Sequence, residues 1–177
     1  NDILNMSRIE SGKIVIQEKE CNLSERVHNL VNMIRPQMRA KRLEFYVDTI
    51  DVEDEELIFD PLRLDQVLIN ILSNAAKFTP IGGVVSFTIR QEPSKKPGHA
   101  HYEFIVRDSG IGMSEEFTKE VFEEFAQEDS DVRTQYHGVG LGMAIVKKYV
   151  DMMGGTISVQ SKKHEGTTFT VDIHLEM

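Results

Sequence analysis

Gly138-Val-Gly-Leu-Gly142 opens an apolar, helix-like segment, and its interpretation depends on two motifs upstream of it. Asp108-Ser-Gly-Ile-Gly112 follows an apolar segment with strand-like alternation, and Leu68-Ile-Asn-Ile-Leu-Ser-Asn-Ala-Ala-Lys77 has helical periodicity. Alone, a glycine stretch is more typical of a tight turn, and a polar stripe is more typical of a solvated helix face. Three such motifs in this order on one chain predict a single shared binding pocket.

The composition is that of an acidic globular protein. Of the 177 residues, 40% are hydrophobic and 28% are charged, and the formal net charge is −9. This charge and the lack of a basic stripe argue against a nucleic-acid partner. The single cysteine, Cys21, excludes an internal disulfide and is typical of a reducing compartment. Because no apolar run approaches membrane-spanning length, we expect a cytoplasmic piece without direct membrane contact.

The apolar periodicity predicts an α+β fold, a two-layer sandwich in which helices cover one face of a mixed, mostly antiparallel sheet. Asp60-Pro61 is a clear helix start, and Asn22 with Glu25 resembles a capping box. Pro36 should kink the helix that follows Asn22 or end it early. Helices are predicted over 1–12, 22–38, 60–77, 114–125 and 141–153, and strands over 13–17, 43–48, 84–91, 102–107, 156–161 and 167–175.

Asp108 is predicted at the end of an apolar strand, directly before Gly110 and Gly112. A carboxylate in this position can accept a hydrogen bond from the exocyclic amine of a nucleotide base. The two glycines lack side chains and allow the backbone to pass close to a flat ring. This motif therefore predicts the base-binding part of a nucleotide pocket.

The second glycine stretch, 138–142, stands where a helix begins, so its backbone N–H groups can bind phosphate. It is neither a Walker loop, since no Gly-Lys-Ser/Thr follows, nor a dinucleotide fingerprint, since a polar segment precedes it. On the upstream helix, Asn70, Asn74 and Lys77 share one face. Asn74 offers a neutral oxygen ligand for a hydrated Mg²⁺, and Lys77 can neutralise phosphate charge.

Together these motifs resemble the ATP-binding catalytic domain of sensor histidine kinases, in the superfamily that includes DNA gyrase, heat-shock chaperones and MutL-type repair ATPases. The resemblance implies a catalytic domain over 22–177, a linker strand over 13–21 and, over 1–12, the tail of a dimerisation and phosphoacceptor helix. The matching boxes are the N box at 70–78, the first glycine box at 108–112, the F box at 121–125, the second glycine box at 138–142 and the closing motif at 166–169.

The resemblance also implies roles for single residues. Asp108 would bind the adenine amino group with help from Thr167, Met113 would pack on the base, and Asn74 would hold Mg²⁺. Residues 115–137 would form a flexible ATP lid anchored by Phe122 and Phe125. Catalytic roles would fall to Asn70, Lys77 and Arg133. The implied nucleotide contacts are Asn70, Asn74, Lys77, Phe78, Asp108, Gly110, Ile111, Gly112, Met113, Phe122, Gln127, Gly138, Val139, Gly140, Leu141, Gly142 and Thr167.

Asn70 discriminates between activities within the superfamily. The ATP-hydrolysing members carry Glu at this position as the general base for water, whereas an asparagine cannot take up a proton at neutral pH. The pocket is therefore expected to retain ATP for phosphoryl transfer. Two residues depart from the family pattern. Gln127 stands where many members carry a lid arginine, whose role Arg133 would take over, and Met143 stands where leucine is more usual. Both departures resemble hybrid kinases with a receiver domain downstream.

None of the six histidines fits the phosphoacceptor pattern of the family, and no pair of them has metal-ligand spacing. The expected function is transfer of the γ-phosphoryl of Mg-ATP to a histidine on an upstream helical domain, with a response regulator receiver domain as a further partner. We expect this piece to be a monomer and the full-length protein to be a homodimer that can be membrane-anchored. Two alternatives stay open, a nucleotide-binding interaction module without kinase activity and a gyrase- or chaperone-like ATPase.

Overall fold

The computed structural model describes residues 2–123 and 142–177. Within these ranges the helices are α1 (Asp2–Glu10), α2 (Leu23–Ala40), α3 (Pro61–Phe78), α4 (Glu115–Thr118) and α5 (Gly142–Met152). The strands are β1 (Lys19–Asn22), β2 (Glu44–Ile50), β3 (Glu56–Phe59), β4 (Val84–Glu92), β5 (His99–Asp108), β6 (Thr156–Lys162) and β7 (Gly166–Glu176). None of the described helices is long and apolar enough to cross a bilayer.

The seven strands form one sheet in the order β1-β3-β7-β5-β4-β2, and β6 also pairs with β7, along the edge of β7 that does not pair with β5. The β2–β4 pair is parallel, and the other pairs are antiparallel. The longest pairing joins β5 and β7, whose registers run from His99↔Glu176 to Asp108↔Thr167. The predicted mixed, mostly antiparallel sheet is confirmed.

The hydrophobic core lies between one face of this sheet and the helices. Along β5, side chains alternate between buried Ala100, Tyr102, Phe104 and Val106 and a more exposed set on the opposite face. Helix α3 packs on β5 and against both α2 and α5. The opposite face of β5 and β7 is largely polar. The α+β sandwich with helices on one face is therefore confirmed.

Helix α3 begins where the sequence predicts. Asp60 Oδ1 accepts a hydrogen bond from Arg63 N at 3.1 Å, and Pro61 occupies the first helical position. The second carboxylate oxygen of Asp60 accepts from Gln17 N at 2.8 Å and so fixes the segment before β1. One side chain thus caps the helix and holds a distant part of the chain.

Helix α2 continues to Ala40, so the expectation that Pro36 ends it early is wrong. Proline removes one backbone donor, but Ile34 and Met38 on either side of it are each only 1% exposed. Burial of these two side chains against the core outweighs the lost hydrogen bond. The predicted N-cap is confirmed at the other end, where Asn22 Oδ1 accepts from Glu25 N at 2.8 Å.

One strand prediction is wrong in position, and one strand is missed. Residues 13–17 are not a strand, and β1 lies at Lys19–Asn22 because these residues pair with β3. Strand β3 lies at Glu56–Phe59, where the sequence analysis predicts no strand, and it buries Leu57 and Phe59. The long-range pairing, rather than local alternation, places both strands. The helix predicted over 114–125 is likewise shorter, since α4 ends at Thr118.

Candidate functional site

Asp108 is the last residue of β5 and pairs in register with Thr167 near the start of β7. Its Oδ1 accepts a hydrogen bond from Gly110 N at 2.8 Å, which fixes the orientation of the carboxylate. The strand pairing thus places a half-buried carboxylate beside a buried hydroxyl at one end of the sheet. Both residues were predicted to bind the same base, and the structure brings them together.

Ser161 of β6 completes this end of the sheet, and the sequence prediction did not include it. Its Oγ donates to Gly166 O at 2.9 Å and accepts from Met113 N at 2.8 Å. The Thr167 Oγ1 lies 2.8 Å from the same Ser161 oxygen. Because Ser161 has only one proton to donate, Thr167 donates to it in this arrangement. No local sequence pattern identifies Ser161, because its position depends on the β6–β7 register, which pairs it with Thr167.

The first glycine box lies between the end of α3 and the β6–β7 turn. Ile111 N donates to Phe78 O at 3.1 Å, and Ile111 O accepts from His164 N at 2.7 Å. A Cβ on Gly110 would lie 2.4 Å from Phe78 O, and one on Gly112 would lie 2.0 Å from Lys162 O. These glycines therefore serve close backbone packing within the protein. Their predicted approach to a base stays a prediction.

The polar face of α3 meets the beginning of α5. Asn70 Nδ2 donates to Gly142 O at 3.5 Å, and Gly142 is both the first residue of α5 and the last of the second glycine box. Asn74 lies one turn further along, half-buried, and Lys77 is exposed. The structure thus brings the asparagine helix and the end of the phosphate-loop motif together, as the sequence analysis required.

Lys41 stabilises the carboxyl end of α3. Its Nζ donates to Ala76 O at 2.8 Å and to Lys77 O at 2.9 Å, so a cation lies at the negative end of the helix dipole. Burial lowers the pKa of this ammonium below its ordinary value. Since Phe78 of the same helix end holds Ile111, Lys41 also supports the position of the first glycine box.

Met113 and Phe122 lie against the core. The Met113 side chain is only 2% exposed and so offers little surface to a base, and its packing on adenine stays a prediction. The Phe122 ring contacts Phe169 edge-on, with centroids 6.1 Å apart. The remaining predicted site and lid residues fall outside the described residues, namely Phe125, Gln127, Arg133, Gly138, Val139, Gly140 and Leu141.

Residues 59–177 match the family model for histidine kinase-, DNA gyrase B- and HSP90-like ATPases. The chain is 40% identical over 177 residues to the autoinducer 2 sensor kinase/phosphatase LuxQ of Vibrio vulnificus (strain YJ016), covering 99% of this chain and 20% of the relative. It is 37% identical to the circadian input-output histidine kinase CikA of Synechococcus elongatus, covering 97% of this chain and 22% of the relative. The chain thus spans about a fifth of the length of the curated relatives it matches.

Solved structures of histidine kinases have the same fold as this chain. Full-length ShkA in complex with AMPPNP superposes with a TM-score of 0.83 at 26% identity, covering 100% of this chain and 35% of that one. The catalytic domain of histidine kinase ThkA superposes with a TM-score of 0.71 at 26% identity, covering 89% and 97%. The chain therefore belongs to the family of histidine kinase-, DNA gyrase B- and HSP90-like ATPases, and the relatives it matches over nearly its whole length are sensor histidine kinases.

Proposed function

We propose that this chain is the catalytic module of a sensor histidine kinase, which binds Mg-ATP and transfers its γ-phosphoryl group to a histidine on an upstream helical domain. The observation that carries the proposal is the contact between Asn70 Nδ2 and Gly142 O at 3.5 Å. This contact joins the polar face of α3 to the point where the second glycine box enters α5. A phosphate chain bound at this point would contact both the polar face of α3 and the second glycine box.

Adenine recognition is assigned to the sheet end formed by Asp108 and Thr167. The carboxylate accepts from an exocyclic amine, and the neighbouring hydroxyl is held in place by Ser161. A base that offers an acceptor where adenine offers a donor would place that acceptor against the Asp108 carboxylate, which is itself an acceptor. The lost hydrogen bond and the repulsion between the two acceptors would give the pocket its preference for adenine.

A magnesium ion fits the donors on α3. Asn74 offers a neutral amide oxygen one turn from Asn70, and Mg²⁺ is usually held by few protein ligands while it keeps waters and substrate phosphates. When bound, the ion would neutralise the negative charge of the phosphates. Lys77, exposed on the same helix, adds a positive charge near this region. The proposal thus assigns nucleotide- or metal-binding roles to five residues, namely Asn70, Asn74, Lys77, Asp108 and Thr167.

In phosphoryl transfer the main task of the protein is to position the reacting groups. The bond between the γ-phosphorus and the β-bridging oxygen breaks, a bond to an imidazole nitrogen forms, and ADP leaves. Asn70 cannot act as a general base for water, so hydrolysis should be slow and the phosphoryl group is retained for transfer. In the longer protein we assign residues 1–12 to the end of the phosphoacceptor helix, 13–21 to a linker and 22–177 to the catalytic domain. We further propose a cytoplasmic location, a homodimeric full-length protein and a receiver domain as the next phosphoryl acceptor.

The test is a calorimetric titration of ATP and ADP into the purified chain with and without Mg²⁺. We expect micromolar binding that Mg²⁺ strengthens, and Asp108→Asn should weaken it at least about tenfold because the amide no longer provides a charged acceptor. Asp48→Asn is the matched control, since the same change falls on the exposed edge strand β2.

Labelled γ-phosphate should then pass to a separately supplied phosphoacceptor helical domain. Failure of all nucleotide binding would contradict the proposal. Binding without transfer would favour an interaction module, and rapid turnover of ATP would show that the inference from Asn70 is wrong.

A further inference from the structure

Three potential metal ligands meet on the polar face of the sheet, opposite the helices. They are His101 of β5 and Asp172 and His174 of β7, and one ligand atom from each lies within 4.8 Å of the others. His101 Nε2 lies 2.8 Å from both carboxylate oxygens of Asp172. The rings of His101 and His174 stack with centroids 4.4 Å apart and an interplanar angle of 15°. All three side chains remain partly open to solvent.

Strand pairing builds this cluster. Asp172 and His174 are two residues apart on β7 and therefore point to the same face, while His101 is the register partner of His174 on β5. His101 and Asp172 are separated by 71 residues, so the cluster is invisible to a search for ligands closely spaced in sequence. The observation that no pair of histidines has metal-ligand spacing concerns neighbours in sequence, and this cluster is formed by residues distant in sequence.

Two imidazoles and one carboxylate are a donor set for borderline divalent ions such as Zn²⁺. We propose that His101, Asp172 and His174 bind one divalent transition-metal ion of the zinc class, with water in the remaining position. Tetrahedral coordination at about 2 Å places ligand atoms roughly 3.3 Å apart. The His101–Asp172 pair is already closer than this, and rotation of partly exposed side chains can bring His174 in.

The surrounding charge favours a cation. Strand register places Glu92 beside His101 and Glu103 beside Asp172 on the same face. Arg90, with its Nε 3.8 Å from Glu92, balances one of these carboxylates. The contact between His101 and Asp172 does not involve the ring nitrogens of His174, whereas a metal ion uses both rings as ligands. The second histidine is the feature that a metal site explains and an ion pair does not.

This site is separate from the proposed nucleotide pocket. Along β7, His174 lies roughly 23 Å from Thr167 at about 3.3 Å per residue. The three ligands also face away from the helices that carry Asn70 and Asn74. The inference therefore stands without the proposed function, and nucleotide binding serves as an internal control for it.

The test is a calorimetric titration of Zn²⁺ into the nucleotide-free chain after EDTA treatment and removal of the chelator. We expect one Zn²⁺ per chain, and His174→Gln and Asp172→Asn should each weaken binding at least tenfold. His28→Gln, on the exposed side of α2, is the matched control and should change nothing. Cobalt in place of zinc should give visible absorption bands that His174→Gln abolishes.

A second readout is the melting temperature. Because the ion would join β5 to β7, Zn²⁺ should stabilise the wild-type chain and the His28→Gln variant but not His174→Gln. Equal melting temperatures in EDTA and unchanged Mg-ATP binding would show that the variants are folded. No zinc binding, or binding that His174→Gln and Asp172→Asn leave unaltered, would overturn the proposal and identify an adventitious surface ion only.

Discussion

At the scale of single residues, Tyr102 is a buried group whose ionisation should be coupled to folding. Its side chain is fully buried, and its hydroxyl donates to the Asp54 carbonyl with Gln91 Oε1 3.1 Å away. Desolvation by burial, followed by the negative charges of Asp54 and Glu55, raises the pKa of Tyr102 to about 12. The protonated form is therefore favoured in the folded state.

Because the folded pKa lies above the ordinary value near 10, the contribution of Tyr102 to stability is complete below that pH and is lost as the pH rises toward 12. Tyr102→Phe should cost about 1–3 kcal/mol of unfolding free energy at pH 8, since the Asp54 carbonyl loses its partner. By pH 11 this difference should shrink by about 1.4 kcal/mol. Urea unfolding at both pH values measures it, and Tyr46→Phe, at 57% exposure, is the control. Parallel pH profiles for the wild-type chain and Tyr102→Phe would contradict the assignment.

Single site residues differ in how far the sequence predicts them. Asp108 was found from its place between an apolar strand and two glycines, and Asn70 and Asn74 from their helical spacing. Ser161 carries no such local pattern, because its role depends on three hydrogen bonds formed only when β6 pairs with β7. His101 and His174 likewise become neighbours only through β5–β7 pairing. Local motifs identify residues that act through spacing, whereas long-range register creates the others.

At the scale of elements, the first glycine box and the β6–β7 turn form one packed unit. Gly112 has φ +68° and its added Cβ would lie 2.0 Å from Lys162 O, whereas Gly98 has φ +72° with no described atom within 4 Å. The two positions share the backbone strain of a left-handed residue and differ in available space.

Gly98→Ala should therefore cost about 1–2 kcal/mol of unfolding free energy, from backbone strain alone. Gly112→Ala should cost more than about 3 kcal/mol, because the β6–β7 turn must also move. The displaced turn should also weaken ATP binding, which Gly98→Ala should leave intact. Urea unfolding and ATP titration of both variants measure these effects. Equal destabilisation by the two substitutions would contradict this prediction, because it would show that the β6–β7 turn moves without loss of unfolding free energy.

Elements with strong local signals were predicted well, and those placed by pairing were not. Helix α3 carries an N-cap, a first-turn proline and a continuous apolar stripe, so its start and buried face follow from the sequence. Strands β1 and β3 are short, acidic in part and positioned by each other and by the end of β7. Their hydrogen bonds connect distant segments, and no local alternation specifies that partnership.

At the scale of the whole molecule, the proposed pocket draws on both layers of the sandwich. Asp108 and Thr167 come from the sheet, while Asn70, Asn74 and Gly142 come from the helices. A ligand that contacts both layers binds the folded chain and has no comparable site on the unfolded one. Binding should therefore appear as added stability of the whole domain rather than of one element.

Mg-ATP at about one hundred times its dissociation constant should add about 2.7 kcal/mol to the unfolding free energy. For a domain of this size, that corresponds to a rise in melting temperature of roughly 5–10 °C. Asp108→Asn at the same nucleotide concentration should lose about half of the rise or more, because tenfold weaker binding lowers the ratio of ligand to dissociation constant from about 100 to about 10. His174→Gln should keep it, since the proposed metal site lies at the other end of β7. Differential scanning fluorimetry of the three chains measures the shifts. A rise of equal size in the wild-type chain and in Asp108→Asn would mean that the nucleotide stabilises the domain from a site other than this sheet end, and that adenine recognition must be assigned elsewhere.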